Sequence, residues 1–138
     1  MGNVIVNILL DTHVIVWSQI NSTRLGKKAY QAIISESNTL WISTISALEI
    51  SRLAQVGKLD FGMPARDWFQ KASRFLTTKI HPIDESVAFE AYQLPGEFHA
   101  DPADRILVAT ARLNALRLMT ADERILAYKG VSTVNACR

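Results

Sequence analysis

The chain has 138 residues, of which 49% are hydrophobic and 20% charged. That length suits one domain, 1–138, able to bury about two-thirds of the surface its unfolded form exposes, and the apolar content excludes a disordered chain. A single cysteine, Cys137, excludes a disulfide scaffold and a Cys-rich zinc site. It reads as an idle tail residue and points to a reducing compartment. No apolar run approaches the roughly 18 residues a membrane span needs, and no basic stretch precedes the first apolar run as in an export signal, so a cytoplasmic protein is expected. The net charge of +2 permits a nucleic-acid partner without requiring one.

Val4 to Leu10 is a nearly continuous apolar run rich in β-branched residues, which predicts a strand buried on both faces, as in a parallel sheet. Asp11 ends it, and Thr12 to Gln19 reads as a short helix. Asn21, Ser22 and Thr23 form a turn before an amphipathic helix over Leu25 to Glu36. Leu40-Trp41-Ile42 is a second strand. Ser43 or Thr44 caps a helix that runs to about Val56 and stops at Gly57. Pro64 opens the next helix, with Trp68, Phe69, Ala72 and Phe75 at helical spacing. Lys79 to Ile83 predicts a third strand, and Asp84 caps a helix to about Gln93, with a turn at Pro95-Gly96. Asp101-Pro102 opens a helix to about Ala115. Arg117 to Met119 is a fourth strand, Ala121 to Tyr128 a short helix, and Val131 to Val134 a fifth strand. Strands alternating with helices argue for an α/β fold around a parallel sheet. In such folds ligands bind beyond the carboxyl ends of the strands.

Acids at those ends are therefore the candidates. Asp11 directly follows the first strand. Asp122 follows the fourth by two residues, after Thr120. Each has a plain alternative as the cap of the next helix. Glu49 is harder to explain as structure, because it lies in the stripe of Ile45, Leu48, Leu53 and Val56, where a carboxylate is costly without a cation or hydrogen bonds. Asp101 precedes a proline at the first helical position and reads as an N-cap. Asp104 falls three residues later, in the first turn, where the helix dipole favours negative charge. Asp11, Glu49, Asp104 and Asp122 come from separated segments, yet all four could meet at one sheet edge. Converging carboxylates do not all stay ionised without a cation. All-oxygen ligation suits Mg²⁺ or Mn²⁺, and the natural chemistry is hydrolysis of a phosphodiester.

Four pieces in order carry a family resemblance: Leu9-Leu10-Asp11-Thr12-His13, then Ile42-Ser43 through Ser46-Ala47-Leu48-Glu49-Ile50, then the run from His99 to Ala111 containing Asp101-Pro102-Ala103-Asp104-Arg105, and finally Leu118-Met119-Thr120-Ala121-Asp122. The chain resembles the PIN-domain ribonucleases, most closely the VapC-type toxins of bacterial toxin–antitoxin pairs, from residue 8 to about 135. The resemblance implies a three-layer α/β/α sandwich around a central, mainly parallel sheet of four to five strands. It implies a site that holds Mg²⁺ or Mn²⁺ and cuts RNA, with Asp11 and Asp104 as direct ligands and Glu49 and Asp122 acting directly or through water. Thr12 and Thr120 would be supporting hydroxyls, Asp101 a neighbour of the site, and Arg105 either a contact to a substrate phosphate or the partner of a nearby acid. It also implies a cognate antitoxin and a homodimer.

Other residues have plainer readings. His13, His81 and His99 fit no zinc motif; for His13 and His99 surface or cap roles are expected, with a place near the site as the alternative. Arg24, Lys27 and Lys28 read as a solvated helix face, with contact to an RNA backbone as the alternative. Trp17, Trp68 and Phe69 read as core, with partner surfaces as the alternative. Three other functions compete with this one. A phosphoryl-transfer site on an aspartate would want a second Asp where His13 stands. Cleavage of DNA flaps would want a clamp element that the short chain lacks. A non-catalytic PIN-like module would use the acidic pocket to grip a partner's basic residue.

Overall fold

The computed structural model describes residues 5–138. Five parallel strands form one sheet: β1 (Asn7–Leu10), β2 (Thr39–Ser43), β3 (Lys79–His81), β4 (Arg117–Thr120) and β5 (Thr133–Asn135), in the order β3-β2-β1-β4-β5. Seven helices surround it: α1 (Thr12–Ile20), α2 (Lys27–Ile34), α3 (Thr44–Gln55), α4 (Ala65–Leu76), α5 (Glu85–Glu90), α6 (Pro102–Leu113) and α7 (Glu123–Ala127). Strand β1 is central because its residues alternate between two cores. Ile8 and Leu10 join Val14 and Ile15 of α1, Ala29 and Ile33 of α2 and Trp68 of α4 on one face. Leu9 joins Leu107 and Val108 of α6, Leu118 of β4 and Ile125 of α7 on the other. The result is an α/β/α sandwich, as expected, with every strand parallel. Among the described residues no helix is long and apolar enough to cross a membrane.

The chain order reverses between β1 and β4. Strands β1, β2 and β3 run outward to one side, and β4 and β5 to the other. A crevice opens at such a switch point, beyond the carboxyl ends of the strands. Asp11 stands there. Its backbone N–H extends the ladder to Met119 O at 3.0 Å, while its own carbonyl accepts from Val14 and Ile15 as helix α1 begins. Helix α3 follows β2 without a loop, because the Ser43 hydroxyl caps it by accepting from Ile45 N at 3.1 Å. It then straddles the sheet edge, with Ile45 in one core and Ile50 in the other.

Several boundaries differ from the sequence reading, each for a local reason. The Val4 end of the first predicted strand lies outside the described residues. Helix α2 begins at Lys27, not Leu25. Ser22–Arg24 is a 3₁₀ turn, Leu25 is extended, and Gly26 passes so close to the Arg138 backbone that a Cβ would stand 2.2 Å from it. Strand β3 stops at His81 rather than Ile83, since Pro82 has no N–H for the ladder. Helix α5 stops at Glu90 rather than Gln93. The i+4 donor for the Ala91 carbonyl would be Pro95, which has none, and Arg105 supplies the hydrogen bond instead. Helix α6 ends at Leu113 as Ala115 turns left-handed (φ 53°) and Leu116 N bonds back to Ala111 O. Helix α7 begins at Glu123, with Asp122 as its cap rather than within it.

Two apolar stripes were also drawn too wide. Leu48 and Val56 are exposed, and the inward face of α3 is Ile45, Ser46 and Ile50, with Glu49 half-buried beside them. In α4, Trp68 and Ala72 are buried, and Trp68 stacks on Phe61 at 4.3 Å. Phe75, expected with them, is 77% exposed.

Candidate active site

Asp11, Glu49, Asp104 and Asp122 line one cleft of about 520 Å³ at the carboxyl end of the sheet. Asp11 forms its floor. It is 5% exposed, Oδ1 accepts from Thr12 N at 2.7 Å, and Oδ2 accepts from Thr120 Oγ1 at 2.7 Å. Thr120 in turn accepts from Asp122 N at 3.0 Å. One hydroxyl therefore ties the end of β1 to the cap of α7.

Glu49 reaches the same floor from α3. Thr12 Oγ1 donates to Glu49 Oε1. Because that uses its only proton, Ser46 Oγ must be the donor in its 2.9 Å contact with Thr12. The pair Ser46–Glu49 works because residues three apart share a helix face. Asp104 sits in the first turn of α6, where Asp101 Oδ1 accepts from its N–H at 3.0 Å. His99 Nε2 donates to Asp104 Oδ2 at 2.6 Å. Asp122 is fully occupied: Oδ1 accepts from Arg124 N and Ile125 N, and Oδ2 accepts from Arg124 Nη2 at 3.1 Å.

The charges are only partly balanced. Burial, opposed by the Thr120 hydrogen bond and assisted by the Asp104 charge, pushes Asp11 up to about 7. Glu49 is raised, first by burial and then by the charges of Asp11 and Asp104, against the Thr12 hydrogen bond. Asp104 is raised by burial and by its neighbours Asp101 and Asp122, against the His99 hydrogen bond. Asp122 runs the other way. Burial is its largest single influence and pushes up, but the hydrogen bonds from Arg124 and Ile125 together outweigh it and hold the carboxyl low. Three of the four acids thus carry a strain that a cation would relieve.

His13 lies beside Asp11, with Nδ1 3.7 Å from Oδ2. Its Nε2 accepts from Ala121 N at 2.9 Å, so the ring proton of the neutral form sits on Nδ1 and faces the acid. Burial, against the pull of Asp122, Asp104 and Glu49, lowers its pKa and keeps it neutral near pH 7. Of the two sequence expectations for His13, a surface or cap role and a place near the site, the structure has the second. Here it joins the start of α1 to the end of β4.

Two sequence candidates stand differently. Asp101 is an exposed N-cap, as its position before Pro102 suggested. Arg105 meets neither a nearby acid nor the cleft. Its Nε donates to His99 O at 2.9 Å, Nη1 to Ala91 O at 3.0 Å and Nη2 to Phe98 O at 2.7 Å. A guanidinium with all three nitrogens committed to backbone carbonyls is a clamp. It holds the loop before α6 so that His99 faces Asp104. Arg105→Ala is expected to lower stability by about 2–3 kcal/mol, since it strands three carbonyls. Denaturant melts check this, and a loss under about 0.5 kcal/mol would remove the clamp from the account.

Sequence reasoning missed Arg124, which follows Asp122 by two residues, and Arg52 and Lys58 on the cleft rim. Arg52 was findable, as it stands three residues after Glu49 on the same helix. Lys58 was not, because the turn at Gly57 brings it round. Trp17 is half-buried against Arg24, whose guanidinium lies 4.1 Å from the indole centre, and both line the cleft.

Comparison with known proteins agrees with this fold. The PIN domain family model matches residues 8–131. Ribonuclease VapC22 of Mycobacterium tuberculosis is 35% identical over 122 residues, covering 88% of this chain and 92% of that protein. Among solved structures, DNA-bound VapBC from Salmonella typhimurium superposes with a TM-score of 0.70 at 16% identity, covering 96% of this chain and 99% of that one. VapBC2 from Rickettsia felis, bound to a DNA fragment from its promoter, gives 0.64 at 17% identity, covering 94% and 98%.

Proposed function

The chain belongs to the PIN-domain family, and from that premise we propose that it is an endoribonuclease, dependent on Mg²⁺ or Mn²⁺, that acts as the toxin of a toxin–antitoxin pair. The observation that carries this reading is the cleft itself. Its floor is acidic, with Asp11, Glu49, Asp104 and Asp122, and its rim carries Arg24, Arg52 and Lys58. An acidic floor suits a cation, and a basic rim suits the phosphates of the chain to be cut.

The acids fit a divalent cation in charge and in ligand type. The strain on Asp11, Glu49 and Asp104 is of the kind that such an ion removes. Among the described residues no three acidic or imidazole side chains form a ready-made ligand cage. Mg²⁺ does not require one, since it keeps several waters and commonly uses one or two carboxylates plus substrate phosphate. Among the described residues no donor meets Asp104 Oδ1 or Glu49 Oε2, so both can face an ion. Each Asp11 oxygen accepts one hydrogen bond and keeps a second lone pair, and on the family resemblance we take Asp11 and Asp104 as direct ligands, with Glu49 ligating directly or through water. Asp122, whose Oδ1 meets three donors and whose Oδ2 meets Arg124, would act through water.

When bound, the ion would lower the pKa of the attacking water and neutralise charge on the leaving oxygen. The chain's own residues prepare the place. Thr120 and Thr12 N hold Asp11 in one rotamer. Thr12, backed by Ser46, aims Glu49. His99 orients Asp104. Arg24, Arg52 and Lys58 would hold the substrate phosphates that flank the bond to be cut.

An antitoxin partner and a homodimer belong to the same proposal. The exposed apolar side chains Leu48, Phe75, Phe89 and Tyr92 support protein contacts. The test is cleavage of a mixed RNA pool by purified, antitoxin-free protein with Mg²⁺, with Mn²⁺ and with EDTA. Fragments are expected with either ion and none with EDTA. Undiminished cutting in EDTA would remove the metal. No cutting with either ion, together with tight grip on a basic peptide, would favour the non-catalytic module instead.

A further inference from the structure

Among the described residues, Arg124 is the only Lys or Arg that pairs with any carboxylate. It pairs with two, and both belong to the site. Its Nη2 lies 3.1 Å from Asp122 Oδ2 and 3.7 Å from Asp104 Oδ2, and its Nε lies 3.4 Å from Asp122 Oδ1. These acids come from different segments, the first turn of α6 and the cap of α7, so a single guanidinium bridges them. The cap of α7 does not account for the second contact. Asp122 caps the helix through the backbone N–H groups of Arg124 and Ile125, whereas the Arg124 side chain reaches Asp104 on another helix. Other basic side chains of the cleft, Arg24, Arg52 and Lys58, leave the acids alone. His13 is neutral and held by Ala121 N.

We propose that Arg124 is the internal counter-ion of the acid cluster: it bridges Asp104 and Asp122 while no divalent cation is bound and competes with the incoming ion for Asp104. The proposal rests on the divalent-cation reading above. Two cations held at one carboxylate repel each other, so an ion on Asp104 Oδ1 weakens the hold of the guanidinium on Oδ2. Displacement is easy because the Arg124 side chain is 61% exposed, and exposed pairs hold weakly. Arg124 is thus a positioning residue. It keeps the first turns of α6 and α7 drawn together and sets the ion concentration at which the site loads.

Calorimetric titration of the full chain with Mn²⁺, free of antitoxin and RNA, tests this without any reading of activity. Arg124→Gln should bind Mn²⁺ about two- to fivefold more tightly than wild type, the range expected from losing one exposed competitor. Arg124→Lys, which keeps the charge, should stay close to wild type. At a fixed, subsaturating Mn²⁺ concentration the Gln variant should also gain more in melting temperature. At this exposed position the fold does not depend on the side chain, and the melts check that directly. If wild type binds Mn²⁺ and Arg124→Gln binds it equally or more weakly, the counter-ion role is overturned while the metal reading stands. If neither protein binds Mn²⁺, the metal reading fails and takes this one with it.

Discussion

Asp11→Asn is expected to cut the rate of RNA cleavage by about a hundred- to a thousandfold, with the fold intact. Asp11 is the one site acid at the end of a central strand, and both of its oxygens are fixed by hydrogen bonds at 2.7 Å. Asparagine has the same shape. Its carbonyl oxygen can still accept from Thr12 N, and its amide can donate to Thr120 Oγ1. What disappears is the negative charge at the floor of the cleft. Initial rates on RNA, paired with thermal melts, separate the two effects. A variant that cleaves at the wild-type rate would place the chemistry elsewhere. A variant that neither cleaves nor folds would show Asp11 to be mainly structural.

The second large effect concerns pH and metal-free protein. Burial raises Asp11 to about 7, from the ordinary value of 3.8. A carboxyl raised in the folded state contributes stability that is full below its unfolded pKa and is lost as pH rises through the folded one. Metal-free protein should therefore lose stability as pH climbs from about 4 to about 7, by roughly 2–4 kcal/mol from this group. Glu49 and Asp104, also raised, act in the same direction. His13 acts against them. Its lowered pKa gives stability that is present above the unfolded value and lost as pH falls through the folded one. Chemical denaturation across pH 4–8 in EDTA measures the slope. Asp11→Asn should flatten much of it, and saturating Mn²⁺ should do the same for wild type. A stability that rises steadily across that window would contradict the burial of an uncompensated acid.

Much of this was legible before the structure. The alternation of apolar strands and helices pointed to a mainly parallel sheet, because two-sided burial leaves continuous apolar runs such as Ile8-Leu9-Leu10. Asp11 and Asp122 could be found by position, each just past a strand. Asp101 and Asp104 could be found from the proline between them. What escaped was decided by tertiary contact. Leu48 and Phe75 fit helical stripes but face solvent, since periodicity marks a face and not what covers it. The use of Arg105 follows from the missing N–H of Pro95 and from three carbonyls in a loop, which no spacing rule reveals. The lock of His13 on Ala121 joins residues more than a hundred positions apart. Arg124 had a local clue in Asp122, two residues before it, but its second partner, Asp104, lies on another helix.

The four acids stand on supports of unequal firmness. Asp11 and Thr120 belong to the innermost ladder of the sheet, where β1 pairs with β4 and the flanking side chains are fully buried. Opening that ladder amounts to unfolding the whole molecule. Asp104 and Asp122 sit on first turns, at the surface end of their helices, joined mainly by an exposed arginine. Small excursions there cost little. The centre is therefore half anvil and half jaw. One wall cannot drift, so on the proposed function it would fix the reference point for the scissile bond. The other would have the freedom to adjust to ions of different radius, or to a reacting phosphate, without disturbing the core beneath.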